Sequence, residues 1–247
     1  MNLNPEILKI CELAHLKHEG HIGSSLSILN ILDAVFSYKQ TQDIEFVLSK
    51  GHASLGLYVI LYKYGYISLE ELDSFCDFGS RLGGHPDYRK VPGIKFSTGS
   101  LGHGLPQSIG LALANRATDD ARYTIVLCGD GELNEGSNWE AALLATHHHL
   151  SNLKLIVDYN KSSERALSVK KIPDAFSALG WDVSRVGGHN HEQLSQAIKI
   201  KSNAPHLIWA ETIKGRGVSF MENNPEWHHK VPNEIEIQSI KKELGVA

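Results

Sequence analysis

Between positions 123 and 160 the chain passes through two apolar runs separated by a stretch with helical spacing. Tyr123 to Cys128 is a short β-rich run that stops at Gly129-Asp130-Gly131. Trp139, Ala142, Leu143 and Thr146 then recur at helical intervals, and a second apolar run, Leu153 to Val157, stops at Asp158-Tyr159-Asn160. Strand, crossover helix and strand predict two parallel strands in one sheet. Ligands of such sheets sit beyond the carboxyl ends of the strands. Asp130 and Asn160 both stand there. With the strands as neighbours about 4.8 Å apart, a carboxylate and an amide oxygen converge. Such hard oxygens suit Mg²⁺ or Ca²⁺ and not zinc.

The same reading extends along the chain. Residues 5–19 pattern as a helix, with Asn4 as cap, Pro5 in the first turn and Gly20 as stop. Gly20 to Ser25 reads as a turn before a helix over 26–38. Residues 45–48 form a short strand that runs into Ser49-Lys50-Gly51-His52-Ala53-Ser54. An anion could find free backbone N–H groups at that turn, and a helix follows. Ser68 and Glu71 make a capping box for the next helix, ending near Cys76. Residues 79–104 are a long glycine-rich loop, which in a folded domain points to function. It is followed by an apolar helix over 105–117. After the central unit come a polar loop over 161–170, a helix over 172–179, a strand over 181–186 and an Asn190-capped helix over 191–200. A strand over 206–212, a loop over 214–230 and an amphipathic helix over 232–245 complete the pattern. No repeat or linker interrupts it, so residues 1–247 read as a single α/β domain: a mostly parallel sheet with helices on both faces.

Composition narrows the function. The chain has 247 residues, enough for one substantial core. A net charge of −4 with 21% charged residues gives no reason to expect nucleic acid or membrane partners. No run approaches a membrane span, and the start lacks a secretory pattern. The three cysteines are scattered, which predicts a reduced, cytoplasmic protein. Histidine is abundant, with 14 residues, and several lie in glycine-rich loops where catalytic groups concentrate. His15 and His18, one helical turn apart, read as a solvated face. His147, His148 and His149 are consecutive, cannot share one helix face, and read as a helix end.

Glycines flanking Asp130 would let the backbone approach a phosphate. An aspartate between them would repel a bare phosphate, so a bridging cation reconciles the two. The Rossmann and P-loop patterns both fail here: Asn134 replaces the needed glycine, and Ser137 replaces the lysine. A metal-bridged diphosphate site remains.

Gly129-Asp130-Gly131 with an asparagine thirty residues after the aspartate resembles the thiamine-diphosphate signature. Gly20-His21-Ile22-Gly23, Ser49 to Ser54, Gly84-His85-Pro86 and Gly99-Ser100-Leu101-Gly102-His103-Gly104 follow in the order and spacing of transketolases. The closing Gly217 to Asn223 and Trp227-His228 resemble the split bacterial form. The resemblance spans nearly the whole chain and implies the amino-terminal, thiamine-diphosphate-binding subunit of a two-chain enzyme. That enzyme would move a two-carbon ketol unit from a ketose or ketose phosphate to an aldose.

The resemblance also implies roles. Asp130, Asn160 and the Ser162 carbonyl would bind Mg²⁺, with Ca²⁺ as substitute. His52 and His228 would contact the diphosphate. Gly99, Leu101 and Gly131 would line the cofactor, and Glu135 would stand at the subunit interface. His21 and His85 would face the substrate and, with His52 and His228, form the catalytic set. A separate carboxy-terminal subunit would supply the activating glutamate in an α₂β₂ assembly, leaving this chain inactive alone. Ser100, His103, His229 and the run Ser162 to Arg165 depart from the family pattern, which suits a specialised pathway as well as the ordinary one. Two alternatives stay open: the α subunit of a thiamine-diphosphate-dependent 2-oxo acid dehydrogenase, and an inactive regulatory subunit.

Overall fold

The computed structural model describes residues 2–165 and 167–246. Its helices are α1 Asn4–Lys17, α2 Ile22–Lys39, α3 Ser54–Lys63, α4 Leu69–Asp73, α5 Gly104–Ala117, α6 Gly136–His147, α7 Ile172–Ala178, α8 His191–Lys199 and α9 Glu234–Leu244. The strands are β1 Ile44–Leu48, β2 Tyr123–Gly129, β3 Leu153–Tyr159, β4 Asp182–Gly187 and β5 His206–Glu211. They form one five-stranded sheet in the order β1-β2-β3-β5-β4, and every neighbouring pair is parallel.

Strand side chains alternate between two cores. Ile125, Leu127, Ile156, Ile208 and Ala210 join α1, α2, α3, α8 and α9 on one face. Val126, Cys128, Leu155, Val157, Leu207 and Trp209 join α5, α6 and α7 on the other. The apolar runs therefore look continuous because both faces are covered. Each fully buried large apolar side chain contributes about 1.5–3 kcal/mol. The parallel order brings the ends of β1, β2, β3 and β5 together at one rim.

Four local expectations change. Asn4 does not cap α1: Leu3 holds that position, and Asn4 Nδ2 donates to Leu244 O at 2.9 Å. α1 stops at His18, which is left-handed with φ 52°, before Gly20. The segment after Gly20 is not a turn, since α2 begins at Ile22 with His21 before it. Packing decides this. Ile22, Gly23, Ser24 and Ser25 are all buried, and a Cβ on Gly23 would lie 2.9 Å from Trp227 O. Finally, Leu143 faces solvent at 56% exposure, because Asn138, Ala141, Ala142 and Ala145 fill the inward face of α6.

Residues 74–103 contain no helix or strand, yet they are tied down. Thr98 Oγ1 donates to Leu48 O at 2.6 Å, Ser54 Oγ to Gly84 O at 2.8 Å, and Tyr58 OH to Gly83 O at 2.9 Å. The glycine-rich loop is thereby held over the end of β1.

Candidate active site

The end of β3 carries a fully buried carboxylate, Asp158. It accepts from Lys50 Nζ, from Ser27 Oγ at 2.7 Å, from Asn160 Nδ2 at 2.8 Å and from Thr212 Oγ1. Burial pushes its pKa up, but the Lys50 ammonium and these hydrogen bonds outweigh burial and hold it below the usual carboxylate value. Asp158 thereby joins the segment after β1, α2, β3 and the end of β5.

Asp130 and Asn160 lie just beyond the register pair Gly129 and Asp158, on neighbouring strands. Asp130 is 3% exposed; its Oδ1 accepts from Gly131 N at 2.7 Å, and its Oδ2 is buried with no hydrogen-bond partner among the described residues. Burial, then the nearby Asp158 charge, pushes its pKa up. A buried carboxylate oxygen without a donor is costly unless a cation meets it. Asn160 Oδ1 accepts from Ser162 N at 3.0 Å and keeps a second lone pair. The oxygen set therefore fits a hard divalent ion. Lys214 Nζ reaches Ser162 Oγ at 3.2 Å beside it.

Glu132 holds the neighbouring loop in place. Its Oε1 accepts from Ser49 Oγ at 2.5 Å and from Gly102 N at 2.9 Å, while Oε2 accepts from Gly129 N at 3.3 Å. The fit is close: a Cβ on Gly104 would lie 2.2 Å from Ser49 Oγ. Glu135 stands exposed against Gly102, where an added Cβ would lie 2.6 Å from Glu135 Cβ. Leu101 is 37% exposed at the loop tip. Gly99, at φ 149°, lies under the His85 ring, with its would-be Cβ 2.7 Å from His85 Cδ2.

Three histidines from distant segments meet above this rim. The His21 ring centroid lies 5.3 Å from that of His52 and 5.7 Å from that of His228. Burial, and then neighbouring histidines, lower His21 to about 4. Burial, and then Lys50, lower His52 to about 2. Both imidazoles are therefore neutral at pH 7, each with one unprotonated ring nitrogen. His228 is also lowered, by burial and then Lys214. Lys214 Nζ stands 2.5 Å from His228 Nδ1, so Nδ1 accepts and Nε2 carries the ring proton. Burial, and then Lys50, bring Lys214 itself down to about 8.

One expectation about this rim fails. The turn at His52 does not offer a row of free N–H groups, because Gly51, Ala53 and Ser54 donate to Ser49 O, Lys50 O and Gly51 O. Positive charge comes from side chains instead. Sequence reading also missed Lys50, Glu132, Asp158 and Lys214. The available signal was a charged residue inside an apolar strand, as Asp158 is, or within three residues of a strand's end, as Lys50, Glu132 and Lys214 are, which must find a partner when buried.

The residue range 7–247 matches the family model for "Transketolase, thiamine diphosphate binding domain". The chain is 39% identical to an apulose-4-phosphate transketolase subunit of Phocaeicola vulgatus, over 96% of this chain and 90% of that one. It is 35% identical to a 6-deoxy-6-sulfo-D-fructose transketolase subunit of a Clostridium species, over 85% and 82%. The crystal structure of transketolase from Campylobacter jejuni superposes with a TM-score of 0.88 at 30% identity. That match covers 98% of this chain but 42% of the solved one. With most of its length matched by the family model and by relatives of similar size, the chain belongs to the transketolase thiamine-diphosphate-binding domain family.

Proposed function

We propose that the chain is the amino-terminal subunit of a two-chain transketolase. It transfers a two-carbon ketol unit from a ketose or ketose phosphate to an aldose, using thiamine diphosphate and Mg²⁺. The observation that carries this reading is the Oδ2 of Asp130, buried beside Asn160 without a hydrogen-bond partner among the described residues, near a cluster of neutral histidines. Asp130 Oδ2, Asn160 Oδ1 and the Ser162 carbonyl hold the metal, for which Ca²⁺ can substitute. Lys214, His228 and His52 face the diphosphate, and the Lys214 charge balances it. Gly99, Leu101 and Gly131 line the rest of the cofactor. When bound, thiamine diphosphate supplies the electron sink for breaking a carbon–carbon bond.

His21 and His85 face the substrate. A neutral imidazole at His21 can take a proton from a donor hydroxyl and return it to the product. Glu135, exposed beside the loop, meets the second chain of the enzyme. That second chain supplies the activating glutamate and the rest of the substrate pocket, in an α₂β₂ assembly. Near-full-length matches to proteins that are themselves named as single subunits of transketolases support this division. Relatives named for apulose-4-phosphate and for 6-deoxy-6-sulfo-D-fructose support a specialised donor over the ordinary pathway. Unpaired Cys11, Cys76 and Cys128 suit a reducing cytoplasm, and no helix among the described residues is long and apolar enough to cross a membrane.

The test is reconstitution with a matching carboxy-terminal subunit. The pair should bind thiamine diphosphate with Mg²⁺ and transfer ketol units, while this chain alone turns nothing over. A reconstituted pair that stays empty of cofactor would refute the metal-site reading. Turnover by the isolated chain would refute the two-subunit reading.

A further inference from the structure

Beside the histidine cluster, Glu19, His21 and His229 offer one carboxylate oxygen and two imidazole nitrogens, all within 4.8 Å of one another. Glu19 Oε1 lies 3.9 Å from His229 Nε2, and the His21 and His229 rings meet edge-on with centroids 4.4 Å apart. Glu19 and His229 take no part in the oxygen-lined pit at Asp130. No hydrogen bond engages the His21 imidazole among the described residues, so both ring nitrogens are open to a ligand or an ion.

The chemistry of the trio differs from that of the pit. Two imidazoles and a carboxylate suit a borderline divalent ion, whereas Mg²⁺ and Ca²⁺ prefer oxygen alone. Donors around tetrahedral zinc stand about 3.4 Å apart, given Zn–N and Zn–O lengths near 2.1 Å, so the trio must close slightly. It has the freedom to do so. The Glu19 and His229 side chains are 41% and 61% exposed. Glu19 is aimed by its hydrogen bond from Gly20 N at 3.0 Å, and His21 is anchored at the start of α2.

We propose that Glu19, His21 and His229 form a binding site for a borderline divalent metal ion of the zinc class, separate from the hard-oxygen site at Asp130 and Asn160. Three protein ligands leave one coordination position open. An ion held there takes His21 out of proton transfer and acts as an inhibitor. That consequence, unlike the binding, rests on the ketol-transfer reading.

The experiment is a Co²⁺ titration of the full chain in excess Mg²⁺, followed by visible absorption. One equivalent of Co²⁺ should produce the ligand-field bands of a low-coordinate nitrogen–oxygen site, and Zn²⁺ should displace it. His229→Ala and Glu19→Gln should each weaken binding by at least about 10-fold, the loss expected from removing even a group that only supports a ligand. His148→Ala, in the histidine run at the end of α6, should leave the bands unchanged. Absence of the bands in the wild-type chain overturns the proposal. So does unchanged affinity in both His229→Ala and Glu19→Gln, or loss of the bands in His148→Ala. The titration does not read thiamine diphosphate, so its failure and failure of the ketol-transfer reading are separate results.

Discussion

Lys50 and Asp158 form an ion pair that water scarcely reaches: their side chains are 2% and 0% exposed, with Nζ 2.5 Å from Oδ2. The pair lies beneath the candidate metal site, where Asn160 donates to the same Asp158 oxygen. It therefore couples the integrity of the sheet rim to the aim of Asn160.

Lys50→Met leaves the Asp158 carboxylate buried without its cation. Breaking a buried pair from one side costs about 3–5 kcal/mol, so the urea midpoint should fall steeply. Lys50→Met combined with Asp158→Leu should cost less than Lys50→Met alone, because no buried charge is left over. A loss below about 1 kcal/mol in the single variant, the size expected of an exposed pair, would contradict the geometry.

Asp130→Asn should stabilise the metal-free chain while abolishing Mg²⁺-dependent cofactor binding with the partner. The sign follows from proton linkage. The folded-state pKa of Asp130 is raised, so between the ordinary carboxylate pKa and the raised value the native state binds more protons than the unfolded state. Stability then falls as pH rises through that window. Asp130→Asn should flatten this slope in urea titrations run with chelator. Mg²⁺ should rescue wild-type stability at neutral pH and leave the variant unmoved.

The histidine cluster should act in the opposite direction. His21 and His52 are lowered to about 4 and about 2. The native state therefore binds fewer protons than the unfolded chain below the ordinary histidine pKa of about 6.5. Their contribution is fully present above that value. It is lost as pH falls, towards pH 4 for His21 and further still for His52. Proton NMR should show both imidazoles still neutral at pH 6. An ordinary titration midpoint at either ring would contradict the burial seen for it in the cluster.

Glu132→Ala should release the Gly102 loop. The substitution strips acceptors from Ser49 Oγ, Gly102 N and Gly129 N. Each buried donor left unmatched costs about 1–3 kcal/mol. Hydrogen exchange at Gly102 should accelerate well beyond that of amides in β3. Equal acceleration across the whole chain would instead indicate a global loss of stability.

Lys214→Met should weaken thiamine diphosphate binding in the assembled pair by about 1.5–3 kcal/mol, the worth of one hydrogen bond to a charged group. The unbound fold should change little, since Lys214 is partnered only by Ser162 Oγ and His228 Nδ1 among the described residues. Calorimetry with and without the substitution reads the difference. Unaltered affinity would remove Lys214 from the diphosphate site.

What the amino-acid order determined by itself was the parallel sheet and the ends of its central strands. Apolar runs, crossover spacing and abrupt Gly-Asp-Gly or Asp-Tyr-Asn stops are local signals, and β2 and β3 follow them closely. The capping box at Ser68 is equally local, because both of its partners lie within one turn of helix. The partners of buried charges were left to the tertiary structure. Lys50 and Asp158 are 108 positions apart, and Ser49 and Glu132 are 83 apart. Which charge is buried depends on elements that meet only after the sheet forms. The same holds for α2, whose first turn lies buried with Gly23 close against the Trp227 carbonyl, and for Leu143, left outside by small inward neighbours. His21, His52 and His228 become one cluster for that reason too: short-range periodicity is written in the sequence, while proximity across the chain is created by burial.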